Sequence, residues 1–217
     1  MSKVKTLKYY PPLEEKINVI SHALGFVLGT TALILLIIKA VKYGNNWHLV
    51  SFTIFGISMM LLYGTSTFYH FTQEPNLRKK LKIFDHAAIY ILIAGTYTPF
   101  TLVTLYGKIG WILFGVSWGL ASFGIILKLF FTGRFTLIST LAYVVMGWLI
   151  VFAINPLRNN LSEEGLFWLL AGGVSYTVGA ILYAFHQLKF NHAIFHIFVL
   201  IGSMCHFISI YFYILKV

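Results

Sequence analysis

Charge is what this chain has least of. Only 10% of its 217 residues are Asp, Glu, Lys or Arg, where a soluble domain carries roughly 25%. With 59% hydrophobic residues and a mean hydropathy of +0.82, this scarcity excludes a water-soluble globular domain. Acids are the rarer sign, six against sixteen Lys and Arg, for a formal net charge of +10. A basic balance can signal nucleic-acid binding. Here the cations fall in loops between apolar runs, where they act as topology signals, so nucleic acid is excluded as a partner. The lone cysteine, Cys205, excludes an intrachain disulfide and lies inside an apolar run, where packing is its expected role. The N-terminal stretch is polar and basic without a short apolar core or a small-residue cleavage site, so no signal peptide is expected. No clear internal repeat and no low-complexity stretch is found.

What is present is a series of apolar runs near 17–40, 48–70, 84–105, 109–131, 136–154, 166–186 and 193–215. Each is close to the ~20 residues that a helix needs to cross a bilayer core. The expectation is an all-α integral membrane protein: a cytoplasmic N-terminal segment, 1–16, and one seven-transmembrane helix bundle, 17–217. Lys3, Lys5, Lys8, Lys16, Arg78, Lys79, Lys80, Lys82, Lys128, Arg134 and Lys189 fall on one side, and Lys39, Lys42, Lys108, Arg158 and Lys216 on the other. The excess of positive charge puts the N-terminus in the cytoplasm and the C-terminus outside. Gly110, Gly115, Gly119 and Gly124 in segment four, and Gly172, Gly173 and Gly179 in segment six, predict close helix packing. Pro99 is expected to kink segment three. Trp47, Trp111, Trp148 and Trp168 read as interfacial anchors.

The polar residues collect at one end of this bundle. His192 and His196 are four apart at the start of the last segment, so they share a helix face about one turn apart. That spacing lets one helix offer two imidazole nitrogens to a metal, although two polar helix-end residues would look the same. On the expected topology His70, ending segment two, and Asp85, opening segment three, reach the same leaflet. Ionisable groups at membrane depth are costly and face an interior cavity. His70, His192 and His196 would supply three ligands to Zn²⁺ and leave a fourth position for water, the mark of a catalytic zinc site. Asp85 would orient that water and take its proton. Ser66, four residues before His70, would reach Asp85, the water or a substrate oxygen.

Glu15, Asn18, His22 and Gly25 form a second stripe on one face of segment one, either an interfacial helix start or the mouth of the site. His86 points about 100° from Asp85 and reads as a packing or hydrogen-bonding residue. His186 reads as a helix-edge residue, and His206 as a buried hydrogen-bonding group too deep to ligate the same ion. Tyr69, Tyr90 and Tyr97 read as packing residues.

In order along the chain, Glu15-x-x-Asn18-x-x-Ser21-His22-x-x-Gly25, Ser66-x-x-x-His70, Asp85-His86, Ala94-Gly95-Thr96-Tyr97-Thr98-Pro99 and His192-x-x-x-His196 with His206 resemble the hemolysin III family. This is the bacterial branch of the progestin and adipoQ receptor family. The resemblance covers the whole chain and implies a seven-helix bundle in the cell membrane with a zinc ion near the cytoplasmic leaflet. It implies His70, His192 and His196 as ligands, with Asp85 and Ser66 beside them. The wider superfamily includes ceramidase-like amide hydrolases, so a metal-dependent hydrolase of a lipid amide or ester is the first functional expectation. Cytolysis by pore formation is the second. A sensor or regulator of membrane lipid homeostasis with structural zinc is the third. Membrane lipids are the expected partners.

Overall fold

A computed structural model describes residues 9–132, 136–185 and 187–215. Seven helices among them are long and apolar enough to cross a membrane: Pro12–Tyr43, Asn46–Phe71, Pro75–Thr104, Lys108–Phe131, Leu137–Asn160, Glu163–Ala184 and Asn191–Ile214. They are named here the first to the seventh span. No strand occurs among the described residues. Lys3, Lys5, Lys8, Arg134, Lys216 and His186 lie outside the described set.

Local chemistry sets the helix starts. The first span opens with Pro12 at its first turn, where the missing N–H costs nothing, and with Glu14 and Glu15 facing the positive end of the helix dipole. Asn45 caps the second span by accepting from the backbone N–H groups of Trp47 and His48, and the His48 ring reciprocates. The third span begins at Pro75, well before the position 84 expected from hydropathy. The Glu74 side chain accepts from the Asn76 and Leu77 N–H groups, and Pro75 follows at the first helical position. That start signal carries the helix through a cationic turn too polar to register as membrane-spanning.

Pro99 acts as expected, with a local cause. The α-helix ends there and continues as a wider π-turn over Phe100–Thr104. Thr98 and Thr101 hydroxyls bond back to the Ala94 and Tyr97 carbonyls around the break. The fifth span is broken too. It runs as α-helix to Gly147, tightens over Leu149–Ala153 and resumes at Ile154. The Tyr97 hydroxyl bridges this break, donating to the Gly147 carbonyl and accepting from the Ile150 N–H. Tyr97 is thus more than filler. Trp148 sits at the same break, mid-span, and donates to Thr177 Oγ1 at 2.9 Å. It is not the interfacial anchor expected, because the span extends to Asn160. Trp47 and Trp111 do meet at span ends, ring centroids 5.7 Å apart.

Successive spans pack side by side from the first to the fourth; the fifth packs on the third and sixth, and the seventh returns to the first. The ring closes on the third span, 72% of whose most apolar window is buried, more than in any other span. Gly110 and Gly124 lie against Thr101 and Tyr90 of this central helix, and Gly172 and Gly179 against the seventh span. Gly115 and Gly119 face open space, so the Gly-x-x-x-Gly step of the fourth span packs on no other helix among the described residues. The outward faces are apolar, as a lipid-facing surface requires.

Candidate metal centre

Closure of the ring brings the start of the seventh span against the ends of the first and second. His70, His192 and His196 converge there, all buried, each offering one ligand atom within 4.8 Å of the others. His192 Nε2 lies 3.1 Å from His70 Nε2 and 3.1 Å from His196 Nε2. Zinc–nitrogen bonds of about 2.0–2.1 Å in tetrahedral geometry space their nitrogens roughly 3.3 Å apart. The two printed spacings are close to that, so the three imidazoles could hold a divalent ion. The donor set also suits other ions that favour imidazole.

The first span supplies what holds these rings. Its buried face runs Glu14, Glu15, Asn18, Ser21, His22, Gly25 and onward, so the polar stripe lies inside the bundle against the cluster. Glu15 Oε2 accepts from His70 Nδ1 at 2.7 Å. That bond puts the proton on Nδ1 and leaves the Nε2 lone pair aimed at the cluster. Glu15 Oε1 takes the Tyr10 backbone N–H at 3.1 Å and pairs with the Arg78 guanidinium. Arg78 is fully buried, and its Nη1 also reaches the carbonyls of Tyr69, His70 and Thr72 at the end of the second span. It lies over the Tyr69 and Tyr9 rings as well. Arg78 is thus not the solvated loop cation its position suggests. It joins the end of the second span to the orienting carboxylate, with the bidentate reach a lysine lacks.

The other rings are positioned by stacking. Tyr10 stacks on His192, centroids 4.6 Å apart, and closes the cluster from the N-terminal side. Burial raises the pKa of its phenol, so Tyr10 stays neutral here. His22 stacks on His196 with ring centroids 3.5 Å apart, and among the described residues neither of its ring nitrogens has a hydrogen-bond partner. Ser21 Oγ lies 3.4 Å from His196 Nδ1.

Away from Tyr10 the cluster opens on a cavity of about 150 Å³ lined by His192, His196, His22, Ser66 and Asp85. His70 stands behind this wall. The cavity runs on between the third, fifth, sixth and seventh spans to His206, past mostly apolar side chains. Ser66 Oγ is buried and has no hydrogen-bond partner among the described residues, so of the partners considered for it Asp85 is not engaged. Asp85 is buried, with Oδ2 3.4 Å from His86 Nδ1. His86 Nδ1 also meets the Lys82 carbonyl at 2.8 Å, which fits the hydrogen-bonding role read for it. His206 Nε2 meets the Leu169 carbonyl at 3.2 Å, in keeping with a buried hydrogen-bonding role.

Of the five residues singled out at the sequence level, Ser66, Asp85, His192 and His196 line one cavity, and His70 stands behind it against His192. Sequence reasoning left Glu15 undecided and missed Arg78 altogether. The signal for Glu15 was its spacing to Asn18, His22 and Gly25; Arg78 carries no signal that separates it from its cationic neighbours.

Residues 11–207 match the family described as Haemolysin-III related. The chain is 52% identical over 202 residues to Hemolysin-3 of Bacillus cereus, covering 93% of this chain and 92% of that one. It is 49% identical over 204 residues to the Hemolysin-3 homolog of Bacillus subtilis (strain 168), covering 94% and 96%. A distant match is the human Monocyte to macrophage differentiation factor, 24% identical over 176 residues, covering 78% and 73%.

Proposed function

The chain belongs to the haemolysin-III-related family of membrane proteins, and from that premise we propose that it is a zinc-dependent hydrolase of a lipid amide or ester, working near the cytoplasmic leaflet of the cell membrane. One observation carries the reading. Of three converging buried imidazoles, His192 and His196 line a largely apolar cavity that Asp85 and Ser66 also line, with His70 directly behind them. A bound zinc ion would supply Lewis acidity and make a water more acidic at neutral pH. His70, His192 and His196 hold the ion. Glu15 keeps His70 in the binding tautomer. Asp85 accepts the proton of the attacking water, and the unpartnered Ser66 hydroxyl is available to donate to the substrate carbonyl oxygen. The apolar cavity wall takes the acyl chain and excludes bulk water from the reacting groups.

The test is metal analysis of purified protein, followed by turnover on amide and ester lipids. Wild type should carry one zinc ion per chain, and His192→Ala none. A metal-free wild type would sink the reading, and so would a His192→Ala variant that keeps both ion and turnover.

The printed name of the bacterial relatives supports a second reading, cytolysis. Under it, protein added to liposomes causes leakage that survives removal of all three histidines. The cavity wall gives that reading little support, because it is mostly apolar and makes a poor path for ions.

A further inference from the structure

Two cations counted as topology signals are buried, and only one is paired. Arg78 has Glu15. Lys128, in the last turn of the fourth span, is 3% exposed and lines the same cavity as His192, His196, Asp85 and Ser66. Its ammonium donates to Ser139 Oγ at 2.6 Å and lies 5.8 Å from the centroid of the Tyr143 ring. Among the described residues it forms no ion pair. A lysine at a span end ordinarily keeps its head in water by snorkelling. This one is folded inward, with an ammonium that has three donors held by a hydroxyl and a ring face. Burying a cation this way is costly unless an anion joins it.

We infer that Lys128 recognises the anionic head of an acyl amphiphile, a carboxylate or a phosphate monoester, whose chain occupies the apolar cavity. The Tyr143 hydroxyl donates to the His86 carbonyl at 3.1 Å, so Lys128 stands one side chain away from the Asp85–His86 pair. The head is held at the same end of the cavity as the histidines, and Leu62, Ile93, Phe100 and Val199 flank the chain beyond it. A buried ammonium that forms no ion pair among the described residues favours such a head over a neutral one. The inference gives the hydrolase reading its substrate class and rests on it for the role of the histidines.

The test is equilibrium binding of laurate, dodecyl phosphate and neutral monolauroyl glycerol to the full chain in non-ionic detergent, for wild type, Lys128→Met and Lys128→Arg. Wild type should bind at least one of the anions ten-fold or more tightly than the neutral lipid. The anion preferred identifies carboxylate or phosphate. Lys128→Met should lose that preference with neutral binding unchanged, and Lys128→Arg should keep most of it. Equal losses for charged and neutral ligands in Lys128→Met, or no loss, overturn the inference. If Lys128→Met does not fold, wild type decides alone: less than a two-fold preference for both anions overturns it. Binding is read without turnover. A chain that binds the anion through Lys128 yet hydrolyses nothing removes the proposed hydrolase and leaves the recognition site standing.

Discussion

On one side of the three histidines, Arg78, Glu15 and His70 form a chain of paired polar groups. Each carboxylate oxygen is taken, and the guanidinium spans Glu15 and three carbonyls. On the other side, among the described residues, the Ser66 hydroxyl and both His22 ring nitrogens have no hydrogen-bond partner, and Lys128 forms no ion pair. Both sides are buried, so both bear the cost of taking polar groups out of water. The first recovers most of that cost within the chain, leaving Arg78 Nε and Asn18 Oδ1 without a partner among the described residues, and so builds structure. The second does not, and unsatisfied groups around a cavity are what a ligand can satisfy. The difference separates holding the site from using it.

The largest expected effect lies on the open side. Asp85→Asn should lower turnover by about 10²- to 10⁴-fold while keeping zinc and thermal stability near wild type. Turnover within a few-fold of wild type, in protein that still holds metal, would remove Asp85 from the chemistry. On the paired side the effect should appear in stability. Arg78→Met strands the Glu15 carboxylate and should cost about 3–5 kcal/mol, the usual range for breaking a buried pair, read by denaturant unfolding in micelles. A loss below about 1 kcal/mol would show that water already solvates Glu15. Smaller again, Glu15→Gln should weaken zinc binding by about 10- to 100-fold in a competitive chelator titration. Unchanged affinity would show that the tautomer of His70 is held by something else.

The smallest effect lies away from both walls, at Glu74. Hydrogen bonds from the Leu77 and then the Asn76 backbone N–H lower its carboxyl pKa in the folded chain. A depressed folded pKa contributes stability above the unfolded pKa and loses it as pH falls through the folded one. Acidification below the ordinary carboxylate range should therefore fray the start of the third span in wild type. In Glu74→Ala that step should be absent. Hydrogen exchange at Leu77 as a function of pH reads it, and identical profiles would exclude the cap.

Much of this was legible in the residues. Apolar runs of bilayer length mark helices wherever they occur, so the number and order of spans followed directly. His192 and His196 are one helical turn apart, a local relation that spacing alone reveals. The failures share a cause. Hydropathy placed the start of the third span too late because the capped turn from Pro75 is cationic. Arg78 and Lys128 were read as solvated because a loop charge and a buried one have the same side chain. Glu15 is 55 positions from His70 and 63 from Arg78, and no periodicity spans that distance. The Gly115–Gly119 step had the right spacing but the wrong face.

By itself the amino-acid sequence determined that this chain lives in a bilayer, crosses it seven times and carries histidines able to bind a cation, because hydropathy and helical period are properties of neighbouring residues. Which charges are paired and which are left to meet a ligand was decided only when the seventh span closed against the first. Pairing depends on contacts between residues far apart in the chain, and only the packed bundle makes them.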